Sequence, residues 1–95
     1  MRLSDFEMLE KADLPGGYQC VLSFNDYTQL SIISGNGAQG LDDRPYEIAV
    51  FINGDFANLP GITFNEDVRG YMTEEEVDSV ISKLYSITGC MPSQV

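Results

Sequence analysis

Three runs of carboxylates are the residues whose type and spacing could do chemistry: Asp42-Asp43, Glu66-Asp67 and Glu74-Glu75-Glu76. Such oxygens could hold calcium, but a calcium loop presents its ligands at alternate positions. None of the runs has that spacing. Adjacent acids on a strand or helix also point in different directions and chelate poorly. No metal and no cofactor is therefore expected. A carboxylate pair could serve as acid and base where surroundings split the two pKa values, yet nothing in the sequence outlines a pocket that would do so. The chain has no histidine, and Lys11 and Lys83 both read as solvated. No catalytic residue is assigned, and the protein is not expected to be an enzyme.

Gly35-Asn36-Gly37-Ala38-Gln39-Gly40 spells a dinucleotide-binding fingerprint after a predicted strand, with Asp55 about twenty residues on. The fingerprint works only where a helix opens at the loop and its N-terminal amides receive the phosphates. Here Leu41-Asp42-Asp43-Arg44-Pro45 follows, which starts no helix and places two negative charges where phosphates would sit. The segment reads as an inter-strand loop.

The charge carries more information. Fifteen Asp/Glu against five Lys/Arg give a formal net charge of −10 on 95 residues, while 43% of the chain is hydrophobic. A folded domain with a strongly negative surface is expected. That surface disfavours direct binding to nucleic acid, whose phosphates are engaged by Lys/Arg, and to anionic lipid. It favours encounter with basic protein surfaces. Cys20 and Cys90 fit neither a disulfide framework nor a zinc site. Cys20 sits in an apolar alternation and reads as a core thiol, Cys90 as a thiol in the tail. A reducing cytoplasm is expected: the acidic N-terminus does not resemble a signal peptide, and no apolar run approaches the roughly 20 residues of a membrane span.

The elements that must position these groups follow from periodicity. Ser4 and Glu7 form a capping box flanked by Leu3 and Met8, predicting a short helix over about 4–13 that Pro15-Gly16-Gly17 ends. Tyr18, Cys20, Leu22 and Phe24 alternate, predicting a strand over about 18–25. Asn25-Asp26 turns the chain into a second strand, about 28–34. Tyr46, Ile48, Val50 and Ile52 mark a third, about 46–52. Asn53-Gly54 is the type I′ hairpin signal, leading to a fourth strand, about 55–59. Ile62 to Phe64 and Val68 to Tyr71 read as short extended pieces. Thr73 and Glu76 form a second capping box, with Met72 and Val77 as its staple. The stripe Val77, Val80, Ile81, Leu84, Ile87 then predicts a helix over about 73–88, followed by a tail over 89–95. The fold expectation is a single α+β domain: a four-stranded antiparallel sheet over about 18–59, with both helices packed on one face.

Ser34-Gly35-Asn36-Gly37, Tyr46-Glu47-Ile48-Ala49-Val50 and Gly70-Tyr71-Met72-Thr73-Glu74-Glu75-Glu76-Val77 together resemble small acidic proteins encoded by bacteriophages. In size and acidity the chain is also similar to anti-CRISPR and anti-restriction inhibitors. The resemblance carries over no functional residue. Together with the lopsided charge and the absence of a catalytic or metal motif, it leads to the expectation of a non-catalytic phage-type protein that binds and inhibits a basic host protein, one that handles nucleic acid. An immunity protein or antitoxin neutralising a basic toxin, or a small accessory phage protein, are the alternatives. The residues assigned to partner binding are Asp42, Asp43, Glu66, Asp67, Glu74, Glu75 and Asp78.

Overall fold

Three long strands form the centre of the sheet, as their alternation predicts. They are β2 (Leu14–Ser23), β3 (Thr28–Gly35) and β4 (Tyr46–Ile52), seen in a computed structural model that describes residues 1–64 and 66–95. β2 pairs antiparallel with β3 in the register Cys20↔Ile32 and Leu22↔Leu30, and β3 with β4 in the register Leu30↔Val50 and Ile32↔Ile48. These registers place Cys20, Leu22, Leu30, Ile32, Ile48 and Val50 on one face, all at 1% exposure or less. The opposite face carries Gln19, Val21 and Ser23 from β2, Gln29, Ser31 and Ile33 from β3, and Glu47, Ala49 and Phe51 from β4.

The sheet is larger than four strands, because each outer edge of this core is shared by two short segments. On the β2 edge, β1 (Leu9–Lys11) pairs with the first half and β7 (Ser93–Gln94) with the second. On the β4 edge, β6 (Arg69–Met72) pairs with the first half and β5 (Asp55–Ala57) with the second. β5 follows an Asn53-Gly54 turn in which both residues have positive φ, 54° and 81°, the geometry a type I′ turn demands.

The N-terminal helix predicted over 4–13 does not form. The chain makes one 3-10 turn, Leu3–Asp5, closed by Asp5 N–H to Arg2 O at 2.9 Å and Phe6 N–H to Leu3 O at 3.0 Å. Beyond it the backbone finds partners that a helix would deny it. Glu7 N–H donates to Gln94 Oε1 at 2.9 Å, Gln94 Nε2 returns a bond to Glu7 O at 2.6 Å, and Leu9–Lys11 joins β2. A ten-residue helix is marginal without packing, so edge pairing wins. The same pairing orders the predicted tail. Pro15-Gly16-Gly17, read as a stop, lies inside β2, and residues 62–64 form a turn on Leu59 O rather than an extended piece.

The closing helix α1 (Glu74–Thr88) has the predicted caps. Thr73 Oγ1 accepts from Glu76 N–H at 3.2 Å, Glu76 Oε1 accepts from Thr73 N–H at 2.9 Å, and Gly89 ends the helix at φ 68°. Val77, Val80, Ile81 and Leu84 lie against the sheet at 1% exposure or less, while Ile87 is 65% exposed. At 3.6 residues per turn Ile87 points about 70° away from the centre of the stripe. Among the described residues no helix is long and apolar enough to cross a membrane.

Cys20 is packed in this core, and burial pushes its thiol pKa up; both cysteines are free. A native thiol titration should therefore show one fast group, the partly exposed Cys90, and a second that reacts only as the domain unfolds. Two fast groups would contradict the burial of Cys20.

Candidate acidic interface

The acids assigned from sequence fall into two kinds. Asp42 and Asp43 are exposed on a turn closed by reciprocal Leu41 and Arg44 backbone bonds at 3.0 Å. Glu66 and Asp67 are exposed just before β6, and Glu74 and Glu75 are exposed in the first turn of α1. Asp78 differs: it is half-buried, and its Oδ1 accepts Leu3 N–H at 2.7 Å, tying the N-terminal turn to the helix.

Glu76 draws the exposed pairs to one end of the molecule. Its Oε1 accepts from Arg44 Nη2, and its Oε2 lies 3.3 Å from Arg69 Nη2. Arg44 immediately follows Asp43, and Arg69 lies two residues after Asp67, so each arginine brings an acidic pair toward the helix start. Both guanidinium groups are occupied further. Arg44 Nε donates to Tyr71 O at 2.7 Å; Arg69 Nη1 donates to Ile62 O at 3.3 Å, and its guanidinium carbon stands 4.6 Å from the Phe64 ring centroid. Among the described residues, Asp42, Asp43, Glu66, Asp67, Glu74 and Glu75 make no ion pair. The two nearby arginines pair with Glu76, and the six exposed carboxylates are left without an ion-pair partner among the described residues.

Sequence reasoning missed this hub. It read Glu76 as a cap, which it is, but the two arginines come from 32 and 7 residues away, and no local pattern signals such contacts. It also missed Phe64 and Tyr71, exposed aromatics flanking the hub with positive φ of 51° and 55°. That conformation is uncommon for bulky side chains.

The electrostatics agree with the geometry. Glu76 is held below its ordinary pKa of 4.5, first by the Thr73 backbone N–H, against a smaller opposing effect of burial, and then by Arg44, the Thr73 hydroxyl and Arg69. Burial raises the Tyr46 phenol, and the negative charges of Glu74 and Asp78 raise it further. Because the folded pKa of Glu76 lies below the unfolded one, its ionised form stabilises the fold above the unfolded value. That stability is lost as pH falls through the folded value. Thermal melts of Glu76→Gln should therefore lose less stability than the wild type on acidification below about pH 5. The difference should stay within about 1 kcal/mol, since the carboxylate is 33% exposed and its pairs are screened. Parallel curves would remove Glu76 from the account.

The Gly35–Gly40 loop has another task than phosphate binding. Asn36 N–H donates to Gly16 O at 3.0 Å and Asn36 Nδ2 to Pro15 O at 2.8 Å, and the segment after it is a turn. The loop packs on the start of β2 and leads into no helix. Among the described residues no group of three His/Cys/Asp/Glu could hold a metal. A groove of about 430 Å³ runs between the outer face of α1 and Pro60–Ile62, lined by Ser79, Ser82, Lys83 and Ser86. Lys83 Nζ donates to Gly61 O at 3.1 Å there, and no lining group is a carboxylate or histidine.

No family model matches the chain, and it has no match among curated proteins or solved structures.

Proposed function

We propose that this is a non-catalytic binding protein whose acidic end docks on a basic protein surface, acting as a phage-type inhibitor of nucleic-acid-handling machinery. One observation carries the reading: Asp42, Asp43, Glu66, Asp67, Glu74 and Glu75 surround the start of α1, while Arg44 and Arg69 are turned onto Glu76. Duplex DNA presents one charge per about 1.7 Å of axis. A group of exposed carboxylates offers the same sign of charge to a groove built for phosphates, and its field speeds encounter with such a groove.

Affinity capture from bacterial lysate on the immobilised protein tests this. Nucleic-acid-binding proteins should be retained at low salt, and both high salt and added duplex DNA should release them. Retention of acidic or neutral proteins only, indifferent to salt and to DNA, would overturn the reading.

A further inference from the structure

One side of the sheet stands opposite α1, and among the described residues no helix or strand packs across it; the Gln39 segment overlaps only its margin, at Glu47 and Gly70. Of the residues that β2, β3 and β4 turn to this side, only Glu47 is charged, although the chain carries a net −10. Its Oε1 is held by Gln39 N–H at 2.7 Å at the margin of the face. The polar centre is internally satisfied, since Gln19 Nε2 donates to Ser31 Oγ at 3.0 Å.

We infer that two copies of this chain associate through this open face. The first argument is electrostatic. A second copy brings another −10, so a broad face with a single carboxylate among its nine central residues, Glu47, is where two copies can meet with little repulsion. The second is area. Seven residues of strand at about 3.3 Å each and five strand positions about 4.8 Å apart give a face of roughly 23 by 24 Å. Two such faces bury about 1,100 Å² even if counted as flat, which clears the roughly 1,000 Å² expected of a specific interface. The third is relief. The face bears one groove of about 200 Å³ beside Leu9, Val21 and Val95, and another of about 220 Å³ beside Gln29 and Phe51. Leu9 and Phe56 stand out at 53% and 52% exposure, Phe56 stacked on Phe51 at 4.7 Å between centroids. In a two-fold contact each copy supplies both knobs and grooves. The charged residues lining the grooves are Glu10 and Lys11 at one and Asp26 at the other.

This association is independent of the acidic end and should respond oppositely to salt, because salt screens the repulsion between copies. Sedimentation of the whole chain between about 10 µM and about 1 mM, the range for a small interface, should show mass rising from 10.5 kDa toward twice that value. The rise should begin at lower protein concentration in high salt. Val21→Lys, on β2 beside the first groove, should stay monomeric while keeping the wild-type circular dichroism. Dilution of the wild type should shift the amide resonances of Val21, Ser31 and Ala49 and leave those of α1 in place, a reading that stands even if the variant fails to fold. A mass of one chain at every concentration would overturn the inference. So would a dimer that survives in folded Val21→Lys, or one whose dilution shifts fall on α1.

Discussion

Ile81→Ala should cost about 2–5 kcal/mol, the range for emptying a fully buried large aliphatic position, and lower the melting temperature by at least about 8 °C. Ile81 is 0% exposed, and its stripe neighbours Val77, Val80 and Leu84 are equally enclosed. The cavity would open between α1 and the Leu30, Ile32, Ile48 and Val50 side chains. Those lie on strands held in register by neighbours on both sides, so little collapse is available to relieve it. Glu75→Ala, on the opposite side of the same helix, removes one exposed carboxylate and should leave the melting temperature within a few degrees. Urea unfolding of the two variants checks this; equal losses would mean that the helix packs by a different face.

Gly35→Ala should be the most damaging glycine substitution among the turns. Gly35 has φ of 75°, and a Cβ there would lie 2.2 Å from the Gly16 carbonyl oxygen. The left-handed conformation costs a non-glycine residue roughly 1–2 kcal/mol. The clash adds to this, because the obstructing atom is backbone in the paired strand, next to the Gly17↔Gly35 register. Gly54→Ala is the internal control. Its φ is 81°, yet nothing lies within 4 Å of the added carbon, so it should show the conformational cost alone. The expected ratio of losses is about two or more. Similar losses would mean that β2 and the Gly35 loop are not in close approach. The sequence marked Gly54 as a turn glycine, Gly16 as part of a stop and Gly35 as the head of a loop, and gave no sign that the last two, 19 residues apart, come together.

That contrast describes what was legible. Features written in local periodicity were read correctly: the alternations of β2, β3 and β4, the Asn53-Gly54 turn, and both caps of α1. Features that depend on a distant partner were not. Leu9–Lys11 and Ser93–Gln94 are strands because β2 offers them an edge, and neither segment has an alternation of its own. The Ser4/Glu7 capping box was a sound local signal that lost to Gln94, 87 residues from Glu7. At the acidic end, the carboxylates were legible as charge. Their convergence was not, because it rests on Arg44 and Arg69 meeting at Glu76. Asp78 matched its neighbours in type and differs only in what it holds, Leu3 N–H.

The central claim is that the acids around the start of α1, rather than net charge in general, bind a basic partner. The most direct measurement is the association rate of the principal captured protein with three forms of this chain as salt is varied. The forms are the wild type, Glu74→Lys with Glu75→Lys, and Asp26→Lys with Asp55→Lys. The second pair makes the same change in net charge at the opposite end of the long strands, beside the Thr28↔Ile52 and Ile52↔Asp55 pairs. The wild-type rate should fall steeply between 0.01 M and 0.1 M salt, as the Debye length shrinks from about 30 Å to about 10 Å. The helix-start variant should associate at least about tenfold more slowly at low salt, with a shallower dependence, and the control pair should remain close to wild type. Equal slowing by both pairs would make the effect one of overall charge, and no slowing by the Glu74/Glu75 pair would contradict the acidic end as the binding surface.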